Sequence, residues 1–417
     1  MNPLRLPWST WFPALVERNV RVYVFGQSVS IMGTWVLDIM LNLVLWGMTR
    51  SPALLGLLNF LLYVPGLLIT PLFAAGLTQA NARRRTLWVL AGGLAVALAL
   101  AVFTGLDRLS TAVLLTLAVG RGVLNGMEQP ARQMLLATSV SHPDRIGGAV
   151  ALNTVVYQVA RMTGPALAAL MYSTVGAGWG FVFSAVALVV MIGCVLHVRT
   201  EPGAHAAPPV EGRQGLRGAL DFVRRDRFGS LFLPIVTCMA TFVGGYQTLV
   251  PVLADRVFGD TAHYTSLFFG AAGAGALTAA LVLSTGMADG ALRRLPVPLP
   301  WLVALALLGL GSSNWLPLTL LCFGMVGFGM TMVSTGTSAM LHRTVPPQAR
   351  NGLIALILVA FNGVIPIAQL VAGLLAERLG VQHSFLVLGC VMLVALALLF
   401  GPRWRARGRV ELDAERV

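Results

Sequence analysis

Apolar residues run through this chain in long blocks, not in alternation, and short polar intervals separate the blocks. Blocks of spanning length fall at 22–48, 52–79, 86–106, 111–134, 147–172 and 178–198, then at 231–254, 264–287, 297–311, 316–340, 352–376 and 384–400. A helix rises about 1.5 Å per residue and a hydrocarbon slab is about 30 Å thick, so these runs predict transmembrane helices. Twelve of them predict an all-α membrane protein, and the one long polar interval, 199–229, divides them six and six.

The expected organisation follows from those boundaries. Residues 1–21 form an N-terminal cytoplasmic and interfacial segment, 22–198 a first six-helix bundle, 199–229 a cytoplasmic linker, 230–401 a second six-helix bundle, and 402–417 a basic cytoplasmic tail. Within the linker, 216–228 reads as a short amphipathic helix on the membrane surface. The halves repeat weakly: setting Ser139-Val140 against Thr344-Val345 matches Arg145 with Arg350, Gly147 with Gly352, and Leu152 with Ile357. Internal repeats that place a binding site between two bundles mark secondary transporters.

Composition agrees with a membrane chain, since 57% of residues are hydrophobic, 11% are charged and mean hydropathy is +0.79. A formal charge of +13 invites nucleic acid as a partner, but its distribution points elsewhere. There is no lysine, so all 29 basic residues are arginines. With the N-terminus inside, Arg83, Arg84, Arg85, Arg145, the linker arginines, Arg293, Arg294, Arg343, Arg350 and the tail arginines fall on the cytoplasmic side. Only Arg50, Arg108, Arg256 and Arg378 fall opposite, an asymmetry that places both termini in the cytoplasm. The tail arginines, Arg403, Arg405, Arg407 and Arg409, read as a topology and headgroup anchor, and no nucleic-acid partner is expected. Residues 1–20 carry prolines and two tryptophans instead of a cleavable signal's apolar core, with Trp8, Trp11 and Phe12 expected at the interface. Cys194, Cys238, Cys322 and Cys390 stand singly in apolar runs, with no disulfide framework and no metal spacing.

Against this apolar background the ionisable groups stand out. Arg121, Asn125, Glu128 and Arg132 recur at helical spacing in the fourth run and share one face, which cannot look at lipid. Counted from Ser110, Arg121 lies roughly 16 Å deep, near the middle of the slab. Arg161 follows at similar depth in the fifth run, ahead of Gly164 and Pro165. The first run adds a stripe of Gln27, Ser30, Thr34, Asp38 and Asn42, in which Asp38 is the only acid. A carboxyl group binds its proton more tightly out of water and less tightly beside a guanidinium, so such a pairing can be tipped by hydration or substrate. Asp38 and Glu128 are therefore the expected proton sites, with Arg121 and Arg161 as partners or substrate contacts. The competing reading is a set of static ion pairs tying the first bundle together. Arg132, nearer the end of its run, reads more as an anchor.

Candidate substrate contacts are Gln27, Thr34, Asn125 and Tyr157 in the first half and Thr241, Tyr246, Gln247, Thr335, Asn362 and Gln369 in the second. Gly164, Pro165 and the cluster Arg83, Arg84, Arg85 are the candidate conformational elements, the first two as a bend. Glycines at 270, 273, 275, 324, 327 and 329 are expected to let neighbouring helices approach closely. Without lysine there is no Walker-type phosphate loop. The six histidines lie in loops or near span ends, and no His-Glu-x-x-His or Gly-x-Ser-x-Gly pattern suggests an enzyme. No catalytic residue, metal site or cofactor is expected beyond a proton gradient. A membrane-embedded enzyme or non-transporting receptor is the competing class.

Particular fragments add a resemblance. Ala14-Leu15 with Arg18-Asn19, Arg21, Gly26-Gln27, Ser30 and Gly33-Thr34-Trp35 resembles the entry segment of the major facilitator superfamily's bacterial subgroup that includes the enterobactin exporter and macrolide efflux pumps. Thr49-Arg50-Ser51-Pro52 with Leu55-Gly56 is similar to its first external turn. Pro130-Ala131-Arg132-Gln133, Ala151-Leu152-Asn153 and Ala160-Arg161 with Gly164-Pro165-Ala166-Leu167 look like its fourth and fifth helices. In two places the chain departs from the pattern. Gln79 and Ala80 replace the usual Asp-Arg pair ahead of Arg83, and the glycine expected after Arg121 is displaced to Gly126. The resemblance implies twelve helices in two bundles related by a pseudo-two-fold, and rocking about a central site. It further implies export of a siderophore or amphiphilic drug in exchange for protons, by a monomer in the bacterial inner membrane. Import of a small metabolite is the runner-up.

Overall fold

Local signals set the helix boundaries. Ser51, Thr78 and Ser110 stand in extended conformation before helices, and their hydroxyls accept the backbone N–H groups of Leu54, Asn81 and Val113. Thr78 and Asn81 close a reciprocal capping box, and Pro52 presets the first turn of its helix. Where chains must turn out of a helix, Gly176 and Gly380 adopt φ of 85° and 84°, which a side chain would strain.

The computed structural model describes residues 13–140, 142, 145–198, 229–284, 298–344 and 347–414. Trp8, Trp11, Phe12, most of the 199–229 linker with its expected surface helix, and the side chains of Arg350 and Asn362 lie outside the described residues. A 3-10 turn at Pro13–Val16 leads into α1 (Arg18–Thr49), α2 (Pro52–Ala75), α3 (Gln79–Gly105), α4 (Thr111–Ser139), α5 (Ile146–Thr174) and α6 (Ala177–His197). Then come α7 (Gly229–Val243), α8 (Tyr246–Arg256), α9 (Thr261–Ser284), α10 (Pro298–Ser312), α11 (Leu316–Thr344), α12 (Pro347–Leu379) and α13 (Val381–Ala414). Over the described residues each of the twelve expected runs falls mainly on helix, the seventh on two, and the second ends in the turn at 76–78.

That seventh run breaks at Gly244-Gly245. A Cβ at Gly245 would lie 2.7 Å from the Ala372 side chain, so the chain bends where α12 leaves no room for one. Pro251, inside α8, has no N–H to give to the helical ladder. Helical stretches long and apolar enough to cross a membrane number eight among the described residues. α4 is not one of them, because Arg121, Glu128 and Arg132 lower its hydropathy.

The chain divides into two compact units, Met1–Pro209 with Asp260–Gly270, and Val210–Gly259 with Ala271–Val417. In the first, α2 packs on α4, α3 on α6, and α1 on both α5 and α6. In the second, α10 packs on α13, and α7 and α8 on α12. There Gly275 of α9 meets Gly324 of α11, where an added Cβ would fall 1.9 Å from the carbonyl oxygen. Second with fourth, first with fifth and third with sixth thus recur as eighth with tenth, seventh with eleventh and ninth with twelfth. The weak internal repeat of the sequence is matched by a repeated helix pairing within each unit.

One expectation about glycine changes. Gly327 and Gly329 are contact positions like Gly275, but a Cβ on Gly270 would meet open space, so no close helix approach depends on it. Gly164-Pro165 lies inside α5, which is helical from Ile146 to Thr174. Gly164 also lets α1 close on α5, since a Cβ there would come 2.4 Å from that of Trp35.

Candidate functional site

α1 is enclosed by its neighbours, so its polar stripe must find partners within the first unit. Asn42 at one end meets α2. Its amide donates to Asn59 Oδ1 at 3.3 Å, and the Asn59 amide donates back to Asn42 Oδ1 at 2.8 Å. The Asn42 amide also donates to the Asp38 carbonyl at 2.8 Å. At the other end Gln27 and Ser30 meet α4: the Arg132 guanidinium donates to Gln27 Oε1 at 2.5 Å and to Ser30 Oγ at 2.7 Å. Tyr23 donates its hydroxyl proton to the Arg132 carbonyl at 2.9 Å.

Between these ends lie the charges. Arg121 Nη1 donates to Glu128 Oε2 at 3.0 Å, and Arg121 Nε lies 3.6 Å from Asp38 Oδ1. Arg132 Nη2 is ion-paired with Glu128 Oε1, one helical turn away. Glu128 is therefore clamped by two guanidinium groups, whereas Asp38 faces one at a distance beyond hydrogen bonding. Asp38 Oδ1, Arg121 Nε, Arg121 Nη2 and Arg132 Nε are buried without a hydrogen-bond partner among the described residues. Such a cluster is held by charge but not saturated by bonds, so a proton or a ligand group can redistribute its pairings.

A cavity of about 110 Å³ opens beside the cluster. α1 contributes Gln27, Ile31, Thr34, Trp35 and Asp38, α2 contributes Tyr63, and α5 contributes Asn153 and Tyr157. α4 supplies Asn125, Glu128, Gln129, Arg132 and Gln133. Trp35 and Tyr157 meet edge-on across it, ring centroids 6.3 Å apart. The wall mixes aromatic faces, carboxamides and charge, which suits an organic molecule with polar substituents.

Of the residues expected from spacing, Asp38, Arg121 and Glu128 come together, as do Gln27, Thr34, Asn125 and Tyr157 around the cavity. Arg161, expected either to pair with the acids or to contact substrate, makes no ion pair among the described residues and is not in the cavity lining. It stands one turn beyond Tyr157 on the same face of α5 and is half-buried. Arg132, expected as an anchor near the span end, is instead 5% exposed and part of the cluster. Its long side chain reaches back along α4 toward Glu128, which counting residues by depth does not reveal.

Arg83 donates to the carbonyls of Val195 and Leu196, at 3.2 and 2.5 Å, and so closes the C-terminal end of α6. Arg85 donates to the Phe73 carbonyl at 3.1 Å and lies over the Phe73 ring, 5.2 Å from its centroid. Arg84 is exposed. In the second unit, Tyr246 starts α8 directly after the Gly244-Gly245 break and meets Phe323, centroids 6.3 Å apart. Thr241 donates to the Thr237 carbonyl at 2.7 Å, Gln247 and Thr335 are half-buried, and Gln369 is buried with Oε1 unbonded among the described residues. Spacing alone did not single out Tyr63, Asn153 or Asn59. Each is a lone polar residue in an apolar or weakly patterned stretch, and that isolation was the available signal.

Apolar helices paired in the same order in each unit, with ionisable groups gathered into one buried cluster, define a membrane transporter of the major facilitator type. The chain belongs to the family described as transmembrane secretion effector, which matches residues 9–415. It is 24% identical over 386 residues to the staphyloferrin A transporter of Staphylococcus aureus, covering 89% of this chain and 94% of that one. Its fold is similar to a bacterial homologue of the human lysosomal transporter Spinster, inward-facing and unoccupied, with TM-score 0.67 and 14% identity. That likeness covers 94% of this chain and 96% of the other. A bacterial homologue of the iron transporter ferroportin, inward-facing, gives TM-score 0.66 at 14% identity, covering 92% of this chain and 97% of that one.

Proposed function

We propose that this chain is a proton-linked secondary transporter that exports a siderophore or an amphiphilic, drug-like molecule by alternating access. It works as a monomer in the bacterial cytoplasmic membrane, with both termini cytoplasmic and no cofactor beyond the proton gradient. The observation that carries the proton link is the contrast between the two acids. Glu128 is fixed by Arg121 and Arg132, while Asp38 borders the cavity with one oxygen unbonded among the described residues. A carboxylate with a single loose counter-ion beside a cavity takes up and releases a proton most readily. The family description supports secretion, and the name of the staphylococcal relative supports a siderophore.

Purified protein in liposomes loaded with a pH-sensitive dye, given a gradient of staphyloferrin A as probe, tests this. Proton movement locked to substrate flux is expected in the wild type and its loss in Asp38→Asn. Substrate flux without proton movement in the wild type would end the proton-linked reading.

A further inference from the structure

We propose that the cavity of the first unit takes an uncharged aromatic group bearing hydroxyl or amide substituents, with Trp35 and Tyr157 as the residues that select its ring. The inference rests on the transport reading above and adds the chemical class of the group that the cavity recognises.

Charge gives the first step. Two acids, Asp38 and Glu128, and one arginine, Arg132, line the cavity. Together with Arg121, which is outside the lining, they form one chain of ion pairs, Asp38 to Arg121 to Glu128 to Arg132, with two charges of each sign. An ionic ligand would bring a charge for which this wall holds no spare counter-ion, and an uncompensated charge is costly inside a membrane. An uncharged group adds no such cost.

Hydrogen bonding gives the second. Of the five carboxamides in the lining, only Gln27 is spent on the cluster, where its Oε1 accepts from Arg132. Asn125, Gln129, Gln133 and Asn153 make no side-chain hydrogen bond among the described residues, and Asn153 Oδ1 is buried as well. Each carboxamide offers N–H donors and an acceptor oxygen. A carboxylate only accepts and an ammonium only donates, whereas hydroxyls and amides do both and so match this wall.

The rings give the third. Trp35 and Tyr157 reach the cavity from α1 and α5, and Tyr63 joins them from α2. Trp35 is seated by Gly164, where a Cβ would lie 2.4 Å from the Trp35 Cβ and 3.2 Å from its Cγ. Tyr157 is 44% exposed, so much of its ring is not covered by the protein. With the two rings edge-on to one another, a planar ligand can stack on one and meet the edge of the other, both favoured arrangements of aromatic pairs.

Binding to the full-length protein in neutral-lipid nanodiscs, corrected for empty nanodiscs, tests both parts without transport. The probes share one frame: 3-phenylpropanamide, the anion 3-phenylpropanoate, the cation 3-phenylpropylammonium, and the non-aromatic 3-cyclohexylpropanamide. The wild type should bind phenylpropanamide several-fold tighter than either ion. It should also prefer it to the cyclohexyl amide by about threefold or more, within the range of an aromatic pair. Trp35→Leu and Tyr157→Leu should each shrink that phenyl preference, and Tyr157→Phe, which keeps the ring, should retain it. Being a ratio of affinities, the preference is not moved by a loss of folded protein. Tighter binding of either ion would overturn the uncharged assignment. Equal affinity for the two amides, or a preference that both leucine variants keep, would overturn the aromatic one, and binding of none of the four probes would overturn both. These titrations read binding and the liposome assay reads proton movement, so failure of this inference is distinguishable from failure of the proton-linked reading.

Discussion

Asp38 and Glu128 lie in one cluster, yet their surroundings assign them different work. Two guanidinium groups make Glu128 the pivot on which Arg121 and Arg132 are aimed, and the looser contact leaves Asp38 free to respond. Asp38 is aimed in turn by its own backbone, since the Asn42 amide bonds the Asp38 carbonyl and is itself locked to Asn59. A buried donor left without its partner costs about 1–3 kcal/mol, while removing both partners together can be nearly neutral. Asn42→Leu and Asn59→Leu should therefore each lower thermal stability in detergent, and the double variant should recover much of the loss. Additive losses in that cycle would show that the two carboxamides act independently. At this scale the sequence was legible where helical spacing applied, as in the stripe from Gln27 to Asn42. For Arg132 the spacing gave the face but not the pairing with Gln27 and Ser30, which depends on where a long, flexible side chain turns.

Helix contacts position the cluster. α2 and α4 approach so closely that a Cβ at Gly126 would lie 2.4 Å from both Cα and O of Gly66, and one at Gly122 would lie 2.2 Å from the Leu61 carbonyl oxygen. Gly126 lies between Arg121 and Glu128, so this seam sets the depth at which their side chains meet. Because the atoms in the way are backbone, Gly126→Ala should cost about 1–3 kcal/mol, read as a lower melting temperature, with activity falling in parallel. An alanine variant as stable as the wild type would mean that the seam is looser than the coordinates place it. Helix existence was readable from apolar run length, and the seventh helix's break was not, because Gly244-Gly245 becomes a bend only once α12 is packed against it. Gly164 adds a contact that run length does not reveal, since it seats Trp35 of α1.

For the whole chain, the described charged side chains that are buried, Asp38, Arg121 and Arg132, all belong to the first unit, and the described helices of the second offer hydroxyls, amides, thiols and rings. The arginine distribution adds a topological expectation: fluorescent-protein fusions at either terminus should fluoresce and alkaline phosphatase fusions there should be inactive. The reverse result would invert the orientation. Counterflow and accumulation of labelled staphyloferrin A in liposomes, compared for wild type and Asp38→Asn, reach the central claim most directly. If Asp38 links substrate to proton, the variant keeps counterflow, which needs no gradient, and loses accumulation driven by an imposed pH gradient. Accumulation by Asp38→Asn to the wild-type level would contradict the account.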